Sequence, residues 1–314
     1  MGKISTVSMS REEWLSARRM GIGGSDVGAI LGLNPYRSPV AVYLDKIGEI
    51  LQPELNSERV YWGNVLEDVV ARHYAAVNDV RVQKNNRILS REDLPFMIAN
   101  IDRDVFSPHD GRYGFEAKTT DARNIKDWTC DDIETVPINY TFQVQHYMAV
   151  TGYPMFDVGC LVGGNRYVQR RVLRDEEIIE CITEKEKEFW HMVETRTPPA
   201  WDGSQSAWDV LKLLYPQSER GKIISLPQEL EDALFQYQRL DTERLDLSAQ
   251  TKAIEKQCDI YKQEICAALG DAEVGMLNGV EISYKTVHRK GYTTKDTEYR
   301  SFKIRDAREK GEAA

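Results

Sequence analysis

The apolar positions in the first two thirds of the chain follow two periods. Apolar residues three and four apart predict helices and strict alternation predicts strands, because side chains repeat about every 3.6 residues on a helix and every two on a strand. Helical spacing covers residues 60–76, 140–151 and 175–193. The strand-like segments are 80–82, 88–89, 97–102, 114–119, 156–162 and 166–172. This mixed order predicts an α/β fold with a mixed central β-sheet flanked by helices.

The pattern changes beyond a turn-rich stretch that ends at Gly203. We predict a first domain over residues 1–203, a linker over 204–228, and a helical arm over 229–269 whose apolar spacing suits a coiled coil. Two strand-like runs flank Asn278-Gly279, a dipeptide typical of hairpin turns. Residues 270–314 therefore predict a small β-hairpin and a tail.

Composition narrows the class of protein. The 314-residue chain has no long apolar run and no hydrophobic N-terminal segment, so we expect a cytoplasmic protein without a membrane partner. The five cysteines form no Cys-x-x-Cys pair, which argues against thiolate zinc and iron–sulfur sites. The net charge of −9 disfavours a uniformly basic DNA-coating surface but not a nuclease, because a nuclease needs acidic metal ligands in its cleft.

The most informative candidate chemistry lies in one predicted strand. Glu116 and Lys118 leave the backbone on the same face, and Asp102 ends the preceding strand-like segment. Two carboxylates beside a lysine suit a site that holds Mg²⁺ and orients a water for phosphodiester hydrolysis. On spacing alone, a solvated Glu–Lys pair is the commoner interpretation. Asp104 is an alternative ligand, because it shares a face with Asp102 if the strand continues.

Two further segments strengthen the nuclease interpretation. Gln143 and Tyr147 lie four residues apart on a predicted helix and so share its face, and Glu67 lies near the start of another helix. Arg18 precedes the glycine-rich loop 21–25, whose backbone amides and arginine could together bind phosphate. A surface turn with solvated arginines is the alternative. The loop lacks the Gly-Lys-Ser/Thr of a Walker A motif.

The order of these motifs resembles the phage-type exonucleases of the YqaJ viral recombinase group, relatives of bacteriophage lambda exonuclease in the PD-(D/E)XK nuclease superfamily. The matching pieces are Arg18-Arg19-Met20-Gly21-Ile22-Gly23-Gly24-Ser25, Trp62-Gly63-Asn64-Val65-Leu66-Glu67, Ile101-Asp102, Glu116-Ala117-Lys118 and Gln143-Val144-Gln145-His146-Tyr147-Met148-Ala149-Val150-Thr151. Five pieces in the same order are more specific than any one of them. One departure is Ile101, which stands where the family often has proline.

The resemblance implies a restriction-endonuclease-like core and a role for each matching residue. Asp102 and Glu116 would be metal ligands with the Ala117 carbonyl, and Glu67 would complete or steady that set. Lys118 would orient and activate the attacking water, which Gln143 would help to place. Tyr147 would support the ligands from the same helix face. Arg18 and Ser25 would bind the terminal 5′-phosphate.

The resemblance also implies the activity and the partners. We expect an exonuclease that uses Mg²⁺, with Mn²⁺ as a substitute, to degrade linear duplex DNA from 5′ ends. The resulting 3′ single strands would serve a phage-encoded annealing protein in recombination. The family further implies a homo-oligomer, with a ring-like trimer as the expected form. Two alternatives stay open: an endonuclease or branched-DNA nuclease on the same core, and a catalytically silent DNA-binding scaffold.

Histidine and tryptophan give no competing site. The five histidines show no metal-ligand spacing, so we interpret them as surface or packing residues. The six tryptophans are interpreted as core or domain-interface anchors, and none is assigned to DNA.

Overall fold

The computed structural model describes residues 2–50, 58–130, 133–278 and 280–286. The chain divides into two compact units, Met1–Pro216 and Gln217–Ala314. Gly279 of the predicted turn and the predicted tail lie outside the described residues. Within the described residues, no helix combines the length and the apolar character needed to cross a bilayer.

The first unit contains seven α-helices and eleven strands among its described residues. The helices are α1 (Arg11–Arg19), α2 (Gly24–Ile30), α3 (Pro39–Lys46), α4 (Glu58–Asn78), α5 (Ile138–Thr151), α6 (Glu176–Thr195) and α7 (Gln205–Leu214). The strands are β1 (Gly2–Ser5), β2 (Ile22–Gly23), β3 (Arg81–Lys84), β4 (Arg87–Ser90), β5 (Met97–Ala99), β6 (Arg103–Ser107), β7 (Gly111–Thr120), β8 (Thr129–Cys130), β9 (Ile133–Glu134), β10 (Met155–Val162) and β11 (Arg166–Leu173).

The main sheet has five strands in the order β11-β10-β7-β6-β3. Strand β7 runs parallel to β10 and antiparallel to β6, while β10 and β11 form an antiparallel pair. The register places Phe115 beside Asp157 and Glu116 beside Val158. Neighbours in register point to the same face, so Phe115 and Glu116 face opposite sides of the sheet. The predicted mixed α/β architecture is confirmed.

Helix α4 covers one face of this sheet. The Tyr74 ring stacks on Phe115 with centroids 4.2 Å apart, and its hydroxyl donates a 2.6 Å hydrogen bond to Asp157. On the other face, α5 brings Val144 and Met148 into a core cluster with Phe156 and Val158. Strand β7 is therefore enclosed by helices on both sides, which explains why its central residues are buried.

A second sheet, in the order β1-β4-β5-β2, borders the helices on the α5 side. His146 on α5 joins this sheet through a 2.8 Å contact between its Nε2 and the Ile98 carbonyl. The same ring contacts Glu186 on α6 through Nδ1 at 2.7 Å. Helix α5 is thus held by buried polar contacts on the side opposite the main sheet.

The predicted boundary at Gly203 lies before the end of the first unit. Residues 205–214, assigned to the linker, form α7, with the Ser204 hydroxyl accepting a capping hydrogen bond from the Ala207 amide. Ala207 and Val210 are buried, and the Ser206 hydroxyl binds the Ser38 amide at 2.9 Å. Because α7 packs against the start of α3, the compact unit continues to Pro216.

The second unit contains the predicted helical arm and hairpin. The arm is α8 (Glu231–Leu269), a 39-residue helix without a buried residue. Strands β12 (Val274–Leu277) and β13 (Val280–Ser283) pair antiparallel. Asn278, in the turn between them, has a positive φ of 51°, as a tight hairpin turn requires.

The tryptophans differ in burial. Trp128 is fully buried as expected, but Trp62, Trp201 and Trp208 are each more than half exposed. Trp62 lies in the first turns of α4, where Tyr61 and Val65 are also exposed. Tyr61, Trp62 and Val65 are therefore apolar side chains exposed at the start of the helix that packs on the main sheet.

Candidate active site

Strand β7 places Glu116 and Lys118 together, as its alternation predicts. The Lys118 ammonium donates a 2.8 Å hydrogen bond to Glu116 Oε1. The Glu116 side chain is almost completely buried, and that of Lys118 is mostly buried. This burial excludes the solvated-pair interpretation, because water does not surround either charge.

Helix α5 contributes Gln143 and Tyr147 to the same cluster. The Gln143 amide nitrogen donates to Glu116 Oε1 at 2.7 Å and contacts the Tyr147 hydroxyl at 2.9 Å. The Gln143 carbonyl oxygen accepts a 3.1 Å hydrogen bond from Lys118. The amide of Gln143 therefore links the strand pair to the helix, with its orientation fixed by a donor on one side and an acceptor on the other.

Asp102 lies immediately before β6 and reaches across to β7. Its Oδ2 accepts a 2.9 Å hydrogen bond from the Ala117 amide. Desolvation, with the charges of Glu116 and Glu67, raises the pKa of Asp102 well above its ordinary value. The structure thus brings Asp102, Glu116, Ala117, Lys118, Gln143 and Tyr147 into one group.

The Glu116 carboxylate has an unfilled bonding capacity. Its Oε1 accepts from Lys118 and Gln143, whereas its buried Oε2 has no hydrogen-bond partner. Desolvation raises the pKa of Glu116, and the nearby Glu67 charge adds to this effect. A buried carboxylate oxygen without a donor, beside a second carboxylate, fits a hard divalent cation.

Glu67 forms an ion pair with Arg103. Its Oε1 lies 2.6 Å from Arg103 Nη1, and Lys84 Nζ is 3.9 Å away. The buried Arg103 side chain also donates to the Asp102 carbonyl. Within the described residues, no group of three or more His, Cys, Asp or Glu side chains is arranged to hold a metal. The charge of Glu67 acts on both carboxylates, and its Oε1 is paired with Arg103.

Asp104, the alternative ligand, is occupied elsewhere. Its carboxylate accepts hydrogen bonds from Arg112 at 2.9 Å, Asn85 at 3.0 Å and Tyr153. These donors surround both of its oxygens. The geometry therefore favours Asp102 as the acidic partner of Glu116.

Lys118 has a strongly anionic environment. Burial acts against its charged form, but the carboxylates of Glu116 and Asp102 outweigh burial and raise the pKa of Lys118. Its Nζ also lies 4.7 Å from the centroid of the Tyr140 ring, a contact not predicted from the sequence. The lysine is therefore an ammonium donor in this arrangement.

Arg18 and Ser25 are in direct contact beside the cluster. Arg18 Nη2 donates a 2.9 Å hydrogen bond to the Ser25 hydroxyl. A Cβ on Gly24 would lie 2.5 Å from the Tyr147 ring, so the loop can approach α5 only with glycine there. The predicted phosphate pocket thus adjoins the acidic cluster. The Gly23 amide, however, already donates to Asp26 at 3.0 Å.

A buried charge network supports this loop. Asp26 forms ion pairs with Lys46, at 2.7 Å, and with Arg37. Burial opposes ionisation of Asp26, but Lys46 and Arg37 outweigh it and lower its pKa. Lys46 also donates to the Arg18 carbonyl at 3.0 Å. Neither cation was predicted, because both reach the loop from residues distant in sequence.

Comparison with known proteins gives a relative that covers most of this chain. Residues 13–154 match the model of the YqaJ-like viral recombinase domain. "Uncharacterized protein YqaJ" of Bacillus subtilis (strain 168) is 37% identical over 282 residues, which cover 89% of this chain and 84% of that protein. An alkaline exonuclease (LHK-Exo) from Laribacter hongkongensis superposes with a TM-score of 0.45 and 17% identity, over 59% of this chain and 93% of the exonuclease. A phage related exonuclease from Haemophilus somnus 129PT gives a TM-score of 0.41 and 12% identity, over 56% and 96% of the two chains. The sequence relative, rather than these two distant structures, identifies the family.

Proposed function

Because the chain belongs to the YqaJ-like viral recombinase domain family, we propose that it is a metal-dependent deoxyribonuclease that degrades duplex DNA from 5′ ends. The observation that carries the proposal is the buried group formed by Glu116, Lys118 and Gln143, with Asp102 beside it. Like charges are gathered there and one carboxylate oxygen is left without a donor. Such an arrangement costs stability and therefore indicates a site maintained for chemistry.

Asp102 and Glu116 would hold the divalent cation, with the Ala117 carbonyl as a further ligand. Bound Mg²⁺ would neutralise charge on the scissile phosphate and lower the pKa of a bound water. Mn²⁺ would substitute, because it also accepts oxygen ligands. Glu67 would act through its charge while its Oε1 pairs with Arg103, and its other carboxylate oxygen would be available to complete the ligand set.

Lys118 and Gln143 would position the attacking water. The ammonium of Lys118 is fixed by Glu116 and Gln143 and can donate its remaining proton to the water or to a phosphate oxygen. Gln143 keeps Lys118 in place, and the Tyr147 hydroxyl in turn contacts the Gln143 amide. These contacts hold the donor before substrate arrives, which reduces the reorganisation needed during phosphodiester cleavage.

Arg18 and Ser25 would recognise the terminal 5′-phosphate. The Arg18 guanidinium and the Ser25 hydroxyl contact each other beside the Glu116 cluster. The ion pair between Asp26 and Lys46 stabilises the loop 21–25. A phosphate held there would place the next phosphodiester bond near Lys118. We further propose that the product is a 3′ single-stranded tail for a phage annealing protein. The ring-like trimer remains a prediction from the family resemblance.

Digestion of a linear duplex, labelled at either end, tests this function against its alternatives. The reactions contain Mg²⁺, Mn²⁺ or a chelator, and a covalently closed circle is incubated alongside. We expect metal-dependent loss from 5′ ends with the circle intact. Nicking of the circle would instead support the endonuclease, and DNA binding without any cleavage would support the scaffold.

A further inference from the structure

A cleft of about 800 Å³ opens directly beside Lys118. Thr119, which follows Lys118 on β7, lines it, as does the Tyr140 ring that lies under the lysine ammonium. Two aromatic side chains at the cleft are exposed to solvent: Trp62 is 52% exposed and Tyr36 is 84% exposed. Exposed aromatic rings at a cleft that reaches a buried polar group are typical of a binding surface.

The charged residues that line this cleft indicate whether it suits the phosphates or the bases of a nucleic acid. Its lining includes the acidic residues Glu58, Asp121 and Asp127 and the single basic residue Arg59. Asp121 is paired with Arg123, so the described lining carries little net charge and offers no cluster of cations to a phosphate backbone. Bases, which are uncharged and have flat π faces, are accepted by Trp and Tyr rings. The lining therefore favours bases over phosphates.

Only an unpaired strand can use such a surface. In a duplex, the base faces are covered by stacking and the phosphates lie outermost. We propose that Trp62 and Tyr36 form a base-stacking site that holds unpaired nucleotides of the strand being cut at Lys118. This inference rests on the proposed nuclease function and extends it, because it assigns strand separation to a named surface of the chain.

The stacking site would act by keeping the end of the duplex open. Trp62 lies on the same helix as Glu67, and Tyr36 lies in the turn before α3. Bases held between these elements cannot pair again with the complementary strand. The scissile phosphate can then remain near Lys118.

Two variants, Trp62→Ala and Tyr36→Ala, test the inference by binding as well as by cleavage. The probe is a short 5′-phosphorylated oligodeoxyadenylate, with an oligomer of the same length that has abasic sites as the comparison. Affinity is measured by fluorescence anisotropy in chelator, so that no cleavage occurs. We expect Trp62→Ala to weaken binding of the base-bearing strand roughly tenfold or more and Tyr36→Ala by a similar factor. Trp62→Phe should retain most of the affinity.

The chain supplies matched controls. Trp201 and Trp208 are 55% and 52% exposed, close to Trp62, but neither lines the cleft. Trp201→Ala and Trp208→Ala should bind as the parent does, and abasic strands should bind the parent and Trp62→Ala equally. Equal losses in all three tryptophan variants, or equal affinity of the parent for abasic and base-bearing strands, would overturn the stacking site.

Cleavage separates failure of this inference from failure of the proposed function. With blunt duplex, Trp62→Ala should slow digestion, and a substrate with an already unpaired 5′ end should recover part of the rate. If the parent cleaves DNA and Trp62→Ala is unaffected on both substrates, the stacking site is wrong but the nuclease stands. If the parent neither binds nor cleaves any DNA, the nuclease itself fails and the stacking site fails with it.

Discussion

Asp157 and Glu116 are both buried carboxylates on adjacent strands of one sheet, but they face opposite sides and have opposite surroundings. Asp157 accepts two hydrogen bonds from Arg171, at 2.8 and 3.0 Å, and one from Tyr74 at 2.6 Å, so both oxygens are satisfied. Glu116 has two donors on one oxygen and none on the other. The first arrangement is closed, and the second is open to a ligand.

The difference separates a carboxylate with a complete set of hydrogen bonds from one that we propose to be functional. Asp157 faces α4, where Tyr74 and Tyr113 complete the hydrogen bonding of its neighbourhood. Glu116 faces α5 and shares its side of the sheet with Asp102, a second carboxylate whose pKa is also raised by desolvation. A fold gains stability from the first arrangement and loses stability from the second unless a cation binds.

The largest expected effect comes from substitutions on the face of the sheet that carries Glu116. Lys118→Ala and Glu116→Gln should each lower the cleavage rate on the order of 1000-fold, because each removes a group that we propose to act at the scissile phosphate. Initial rates on a 5′-labelled linear duplex measure this loss, and circular dichroism shows that the fold is retained. Lys185→Ala provides the control, since Lys185 forms an exposed pair with Glu188. Parent-like rates in either site variant would remove the assignment.

A substitution of Asp157, on the opposite face of the sheet, should affect stability instead of activity. Asp157→Asn removes the buried carboxylate that Arg171 and Tyr74 share, although Arg171 keeps its ion pair with Asp110. It should lower the free energy of unfolding by about 2 kcal/mol. Denaturant unfolding measures the change. Below its melting temperature, the variant should cleave DNA at nearly the parent rate, because Asp157 lies on the face away from Lys118. A large loss of activity in the folded variant would contradict the division between the two faces.

Local patterns in the sequence predicted the residues around Glu116 better than the ion pairs that surround them. Alternation alone placed Glu116 and Lys118 on one face, and helical spacing placed Gln143 with Tyr147, because these relations involve residues at most four positions apart. The ion pair between Glu67 and Arg103 could not be predicted in this way. It joins residues 36 positions apart and depends on how α4 packs against the sheet.

Helix α7 is a different case, because its signal was present in the sequence. Ser204 is a favourable N-cap, and the apolar residues Ala207, Val210, Leu211 and Leu214 follow at helical spacing. The turn-rich stretch 197–203 before it is the stronger local signal and predicts a domain boundary there. The exposure of Trp62, by contrast, has no local signal, since tryptophan occurs both in cores and at binding surfaces.

Glu186 provides an intermediate case that pH can test. It is buried, and one of its oxygens contacts His146 while the other has no partner. Burial disfavours the imidazolium, but the Glu186 charge outweighs it and raises the pKa of His146, and burial raises the pKa of Glu186. Both groups thus bind protons more tightly in the folded state. Their stabilisation is present at low pH and is lost as the pH rises through the folded-state pKa values.

We therefore expect the free energy of unfolding to fall as the pH rises above about 6.5, the ordinary pKa of histidine, and through the raised pKa of His146. Denaturant titrations at several pH values measure it. His146→Asn, which removes the titrating ring, should flatten this dependence. In contrast, Asp157→Asn should leave the slope of the free energy of unfolding against pH unchanged in this range, because Asp157 does not contact His146 or Glu186. A decline in His146→Asn as steep as in the parent, or steeper, would exclude the pair as the origin.

The smallest expected effect is a gain in stability on substitution of Asp102, opposite in sign to the loss expected for Asp157. The raised pKa of Asp102 means that its ionised form is less favourable in the folded state than in the unfolded state, so its cost appears as the pH rises through the folded-state pKa. Asp102→Asn keeps an oxygen for the Ala117 amide and should raise the metal-free free energy of unfolding at neutral pH by about 1 kcal/mol. Mg²⁺ should then stabilise the parent but not the variant, since only the parent has both carboxylates. Thermal unfolding with Mg²⁺ and with chelator measures both quantities. If Asp102→Asn were destabilising in chelator, as Asp157→Asn is expected to be, the two sides of the sheet would not differ in the way that their hydrogen bonds indicate.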